Sequence, residues 1–189
     1  MTAHSKIALH HVGGRWGNHP FPRPPTFAGD FIEVLYEADT DAIAAIPGAG
    51  KDRPSELIVI PACLADRDGD GLLHIYVNPG LTSLSELSRV LEHCYQNTFG
   101  VDFDFGNDGA RLVQKRKVAT RRLDGLIAAQ PMPASRFPGS RVQSGEYEVL
   151  LGACDALDRN VCGLIVEVEF GEMCVGQRRF QESARRRGF

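Results

Sequence analysis

Three glycines and one acid carry the first hint of chemistry. Gly13, Gly14 and Gly17 close the short apolar run "KIALHHV", and Glu37 stands twenty positions after Gly17, at the end of a second such run, "DFIEVLYEAD". Glycines after a strand let a ligand approach the backbone, and a carboxylate ending the next strand can accept hydrogen bonds from ribose hydroxyls. That is the plan of a site for an adenosine-containing cofactor. A dinucleotide pyrophosphate needs a helix N-terminus directly behind the turn. Here "NHPFPRPP" follows instead, and its prolines oppose a helix, so an adenosyl ligand without phosphate is expected and a nicotinamide-dependent reductase is disfavoured.

Other candidate motifs fail on spacing. "GAGK" (48–51) is no P-loop, because Ala45 stands where glycine is required and Asp52 where Ser or Thr is required. "DRDGDG" (66–71) imitates the start of a calcium loop, but Val77 replaces the bidentate Glu, and a hairpin turn is expected. His10, His11 and His19 show no metal-binding spacing, so no metal is expected; one of the adjacent pair is expected to point into the sheet and hydrogen-bond there. No G-x-S-x-G elbow occurs, which removes a common hydrolase class. "KRK" (115–117) and "RRR" (185–187) read as solvated faces.

The elements that must position these residues follow from the hydrophobic pattern. Strands are expected over 6–12, 30–39, 55–65, 72–77, 110–120 and 161–170, and helices over 40–46, 83–96, 121–129, 145–159 and 177–188. Thr40 or Asp39 is expected to cap the first helix. The run "SELIVIPACLA" is nearly continuous in apolar residues, as a strand covered on both faces would be. Alternating strands and helices imply βαβ units, an α/β fold with a mostly parallel sheet, and ligands beyond the carboxyl ends of the strands.

Composition sets outer bounds. With 189 residues and 43% hydrophobic content, one domain spanning 1–189 is expected. A net charge of -3 argues against binding by phosphate neutralisation, so no nucleic-acid partner is expected. Five cysteines without a C-x-x-C pair suit a reducing cytoplasm, and no signal or membrane-length apolar run is present, so no membrane partner is expected.

With those residues in view, the sequence resembles the FkbM-type family of S-adenosylmethionine-dependent methyltransferases, over roughly Leu9 to Phe189. "HVGGRWG" is similar to the family's D-V-G-A-N-x-G turn, and "VLYEADTDA" to its second strand with the ribose-binding acid. "PACLADRDGDGLLHIYVNPGLTSLSEL" is similar to the A-L-S-D-x-D-G segment, strand and S-S-L turn. "VATRRLDGLI" and "RVQSGEYEVLLGA" resemble V-x-T-R-R-L-D-D-L and D-T-Q-G-A-E-x-E-V-L-x-G-A, and "VCGLIVEVEF" with "GQRRFQE" completes the order.

The resemblance implies a Rossmann-like class I methyltransferase sheet with helices on both faces, S-adenosylmethionine as cofactor, and methyl transfer to a hydroxyl of a sugar, polyketide or other small metabolite. It implies that Gly13, Gly14 and Gly17 flank the methionine part, Glu37 the ribose, and Asp66 and Ser83 the neighbouring cofactor wall. Gln143 and Glu146 would face the acceptor as catalytic residues. Glu146 has a second role open to it, since any carboxylate in the first turn of a helix is favourable against the dipole.

Departures from the family pattern are specific. His11 stands in place of an acid, Arg141 in place of the Asp of D-T-Q-G, and Ser144 in place of its Gly. "FPGSR" (137–141) occupies a strand that is apolar in the family, so that strand is expected to be short or distorted. The chain stops at "RRRGF", where the family continues through a terminal strand pair. Without that pair an open edge would invite homo-oligomerisation. A non-catalytic relic that binds the cofactor without turnover is the alternative.

Overall fold

The structure is a computed structural model that describes residues 6–13, 29–44, 46, 56–89, 109–130, 132–169 and 171–178. The chain forms two compact units. The first comprises Met1–Gly69, Ala119–Arg141 and Glu148–Val166, and the second Asp70–Val118, Val142–Tyr147 and Glu167–Phe189.

The first unit is built on a five-stranded parallel sheet. Its strands are β1 (Ile7–Val12), β2 (Phe31–Glu37), β3 (Glu56–Pro61), β7 (Ser135–Ser140) and β8 (Ile165–Val166), in the order β3-β2-β1-β7-β8. Five of the six residues of β1 are buried, and Val34, Leu35 and Tyr36 of β2 are almost wholly so. Central strands of a parallel sheet lose water on both faces, so the polar His10, His11, Glu33 and Glu37 of these strands are buried along with the apolar residues. α1 (Thr40–Ala44) leaves β2, with Asp39 as the cap: its Oδ1 accepts from the Asp41 N–H at 3.1 Å.

The run 55–65 is not one covered strand. β3 is only half-buried at the end of the sheet order, and β4 (Cys63–Leu64) follows it after a break at Ala62. β4 pairs in parallel with the end of β6 (Leu112–Arg121), through Cys63 with Thr120 and Leu64 with Arg121. The second sheet has the order β4-β6-β5, so "DRDGDG" is a turn but not a hairpin: β6 lies between β4 and β5 (Gly69–Tyr76). Asp68 secures that turn, its Oδ1 accepting from the Arg122 N–H at 2.7 Å.

The single helix expected over 145–159 is two, α3 (Glu146–Gly152) and α4 (Cys154–Asn160). Ala153 between them is non-helical, and Asp124 at the start of α2 (Leu123–Ala129) accepts from the Asp155 and Ala156 N–H groups at 3.1 and 2.9 Å. A carboxylate from another helix thus caps α4 in place of a local side chain. The break also seats Gly152 against the Ala65 carbonyl, where a Cβ would stand 2.1 Å from the oxygen.

β7 forms despite Pro138 and Gly139, with a register shift against β1 between Ala8 and Leu9. β8 pairs only Gly139 and Ser140, so Pro138 has no ladder partner on that side among the described residues. A residue without an N–H is tolerated there. Among the described residues, the ten-residue strand expected over 161–170 is reduced to Ile165–Val166, which pair with Gly139 and Ser140.

In the second unit, Tyr76, Leu81, Leu87 and Cys174 form a small core with Ala110 and Met173 against it. A 3-10 turn, Pro79–Leu81, follows β5, with the Asn78 side chain accepting from the Gly80 N–H. Residues 83–88 are not the start of a helix. Ser83 bridges His74 and Leu87 bridges Cys174, both antiparallel, while 90–96 lies outside the described residues. Gln177 and Arg178 are not helical either, and 179–188 lies outside the described residues.

Candidate functional site

The first unit gathers its polar groups at the carboxyl ends of β2, β1 and β7. Gly13 turns out of β1 with φ 86°, a conformation that favours glycine, and its N–H donates to the Tyr36 carbonyl at 3.0 Å. Glu37 ends β2 and is 6% exposed, with Oε1 accepting from the Asp39 N–H at 2.8 Å. The glycine and the acid therefore sit on adjacent strand ends, as the spacing implied. Gly14 and Gly17 lie outside the described residues. Asp66 follows β4 with its carboxylate 3.9 Å from the Arg67 guanidinium.

Both adjacent histidines are buried. His10 Nε2 lies 3.0 Å from the Pro133 carbonyl, so it carries the proton, and Nδ1 accepts from the Tyr36 hydroxyl at 2.9 Å. Burial lowers His10 to about 4, against the raising effect of the Pro133 carbonyl, and burial raises the Tyr36 phenol. This pair is a neutral strut between strands. His11 alternates to the opposite face, which the ladder shares with Glu33 and Glu37. Burial, and then the nearby Glu37 carboxylate, push the Cys63 thiol up to about 11.

β7 contributes a residue that sequence reasoning missed. Ser140 pairs with Val12 at the end of the sheet, is 3% exposed, and its hydroxyl has no hydrogen-bond partner among the described residues. Arg141, next in the chain, is exposed, and its N–H donates to the Val12 carbonyl at 3.0 Å.

The second unit holds Ser83, Gln143 and Glu146. Ser83 and His74 exchange both backbone hydrogen bonds, at 2.8 and 3.2 Å. The Ser83 hydroxyl donates to the Gln143 carbonyl at 2.6 Å and accepts from the Ser85 N–H at 3.0 Å. Gln143 and Ser144 are consecutive non-glycine residues at positive φ, 54° and 73°. Such a backbone persists only where its surroundings hold it. Here Ser83 holds the Gln143 carbonyl, and Glu146 Oε1 accepts from the Val142 N–H at 2.8 Å.

Glu146 is 6% exposed and begins α3. Burial raises its carboxyl to about 7; the Val142 N–H and its own N–H oppose this, while the Glu169 and Glu167 carboxylates add to it. It can therefore carry or release a proton near neutrality. Glu169 is likewise raised, by burial and by Glu167, against a hydrogen bond from Gln177. Gln143 Nε2 donates to Glu169 Oε1 at 3.4 Å, and Gln177 Nε2 donates to Oε2. Glu169 was hidden in sequence because "VEVEF" has the alternation of a strand. His74, 7% exposed and with no partner for Nδ1 among the described residues, gave no motif at all.

Among the described residues no group of three or more His, Cys, Asp or Glu side chains could hold a metal ion, and no helix is long and apolar enough to cross a membrane. The chain matches no family model, no curated protein and no solved structure.

Proposed function

We propose that the protein is an S-adenosylmethionine-dependent methyltransferase of the FkbM type, acting on a hydroxyl of a small metabolite. The observation that carries this reading is the placement of Gly13 and Glu37 on neighbouring strand ends of a parallel sheet, in a chain whose further motifs follow the family's order. The residues fit an adenosyl ligand: Gly13 leaving β1 at positive φ, a pinned carboxylate suited to ribose hydroxyls, and a buried Ser140 hydroxyl that lacks a partner among the described residues. The class I architecture, with helices on both faces, belongs to the same proposal.

The cofactor supplies an already activated methyl group, so the chain's own task is to align the reacting groups and to take up the acceptor's proton. On this reading Gly13, Gly14 and Gly17 border the methionine part, Glu37 binds the ribose, and Asp66 belongs to the same wall of the first unit. In the second unit, Ser83, Gln143 and Glu146 are the further residues that the resemblance assigns to cofactor and acceptor. A carboxyl raised to about 7 suits proton uptake at neutral pH.

One observation favours a degenerate binder of the same cofactor. The exposed Arg141 and the positive-φ Ser144 stand where the family has Asp and Gly. Incubation with methyl-labelled S-adenosylmethionine and a panel of sugar, polyketide and phenolic hydroxyls separates the two: label in any acceptor supports the enzyme. Cofactor binding with no labelled product, restored by Arg141→Asp with Ser144→Gly, supports the degenerate binder.

A further inference from the structure

Strand order places the switch point of the sheet between β1 and β7. β1 leads on to β2 on one side, whereas β7 leads through α3 and α4 to β8 on the other, so the connections part between β1 and β7. In an open parallel sheet, ligands bind at the carboxyl side of such a switch point. The residues flanking it are Gly13 after β1, and Ser140 with Arg141 at the end of β7.

The donors there are unequally spent. The Gly13 N–H is used by the Tyr36 carbonyl and the Arg141 N–H by the Val12 carbonyl. The Ser140 hydroxyl is buried at 3% exposure and has no partner among the described residues. A buried hydroxyl left unpaired is costly, and native structures pair almost all such groups.

We propose that the Ser140 hydroxyl donates a hydrogen bond to the amino-acid end of the adenosyl ligand in the crevice between β1 and β7. The inference rests on the adenosyl-ligand reading above. With the ribose at Glu37 on β2, the part of the ligand reaching across β1 towards β7 is the end distal to the ribose. The carboxylate there is an acceptor-only group, which a hydroxyl donor suits.

Calorimetric titration of wild type and Ser140→Ala with S-adenosylhomocysteine and with 5′-methylthioadenosine, which lacks the amino-acid end, tests this. The variant should bind S-adenosylhomocysteine roughly tenfold more weakly, the worth of a hydrogen bond to a charged group, and 5′-methylthioadenosine as wild type does. Its ligand-free melting temperature should not fall, because no hydrogen bond within the protein is lost. Unchanged affinity for S-adenosylhomocysteine, an equal loss for both ligands, or a lowered ligand-free melting temperature overturns the inference. A wild type that binds neither ligand overturns the cofactor reading itself, a separate outcome.

Discussion

Glu37 and Glu146 are both buried carboxylates, yet their surroundings set them to different work. Glu37 accepts a backbone N–H at the end of β2 and faces the ligand in the proposed reading. Glu37→Ala should weaken S-adenosylhomocysteine binding by about 1.5–3 kcal/mol for each charged hydrogen bond lost, read by calorimetry; unchanged affinity would mean the ribose acid lies elsewhere. Glu146, raised to about 7 from 4.5, keeps a proton in the folded state that the unfolded chain has released. Its favourable contribution is fully present below about pH 4.5 and is lost as pH rises through about 7. Glu146→Gln keeps an acceptor for the Val142 N–H without a charge to bury. It should raise stability at pH 8 by an amount on the order of 1–3 kcal/mol and give no gain at pH 4, measured by denaturant unfolding at both pH values. Motif spacing singled out Gly13 and Glu37 in the sequence, and the family resemblance alone singled out Glu146. Ser140, His74 and Glu169 were not legible there, because each matters through partners distant in sequence or through the lack of one.

At the scale of elements, pattern reading succeeded where burial follows a single period and failed where a tertiary contact intervenes. β1, β2 and α2 stand within two residues of their expected bounds, since β1 and β2 are mostly apolar and α2 keeps Leu123 and Leu126 on a buried face. The helix over 145–159 broke because Asp124 caps its second half, and the strand over 161–170 shortened because β7 offers it two residues. Segment 83–88 has helical periodicity, but Ser83 and Leu87 pair as strand bridges instead. The α3–α4 break has a checkable energetic signature. Gly152→Ala drives a Cβ into the Ala65 carbonyl, so it should destabilise the protein by about 1–3 kcal/mol, seen as a lowered denaturant midpoint with unchanged slope. A variant as stable as wild type would show that the break is not held by that contact.

For the molecule as a whole, the alternation of strands and helices gave the α/β class and the parallel sheet, and the structure bears out both. Strand order and the second, three-stranded sheet were not readable, because pairing between distant segments leaves no local periodicity. The sheet order, with its switch point between β1 and β7, is what turns a glycine turn and a distant acid into parts of one proposed cofactor site. The claim that everything else depends on is therefore binding of an adenosyl ligand. Calorimetric titration of the folded wild-type protein with S-adenosylhomocysteine tests it most directly: the account predicts saturable binding at one site per chain, and no binding by well-folded protein would contradict it.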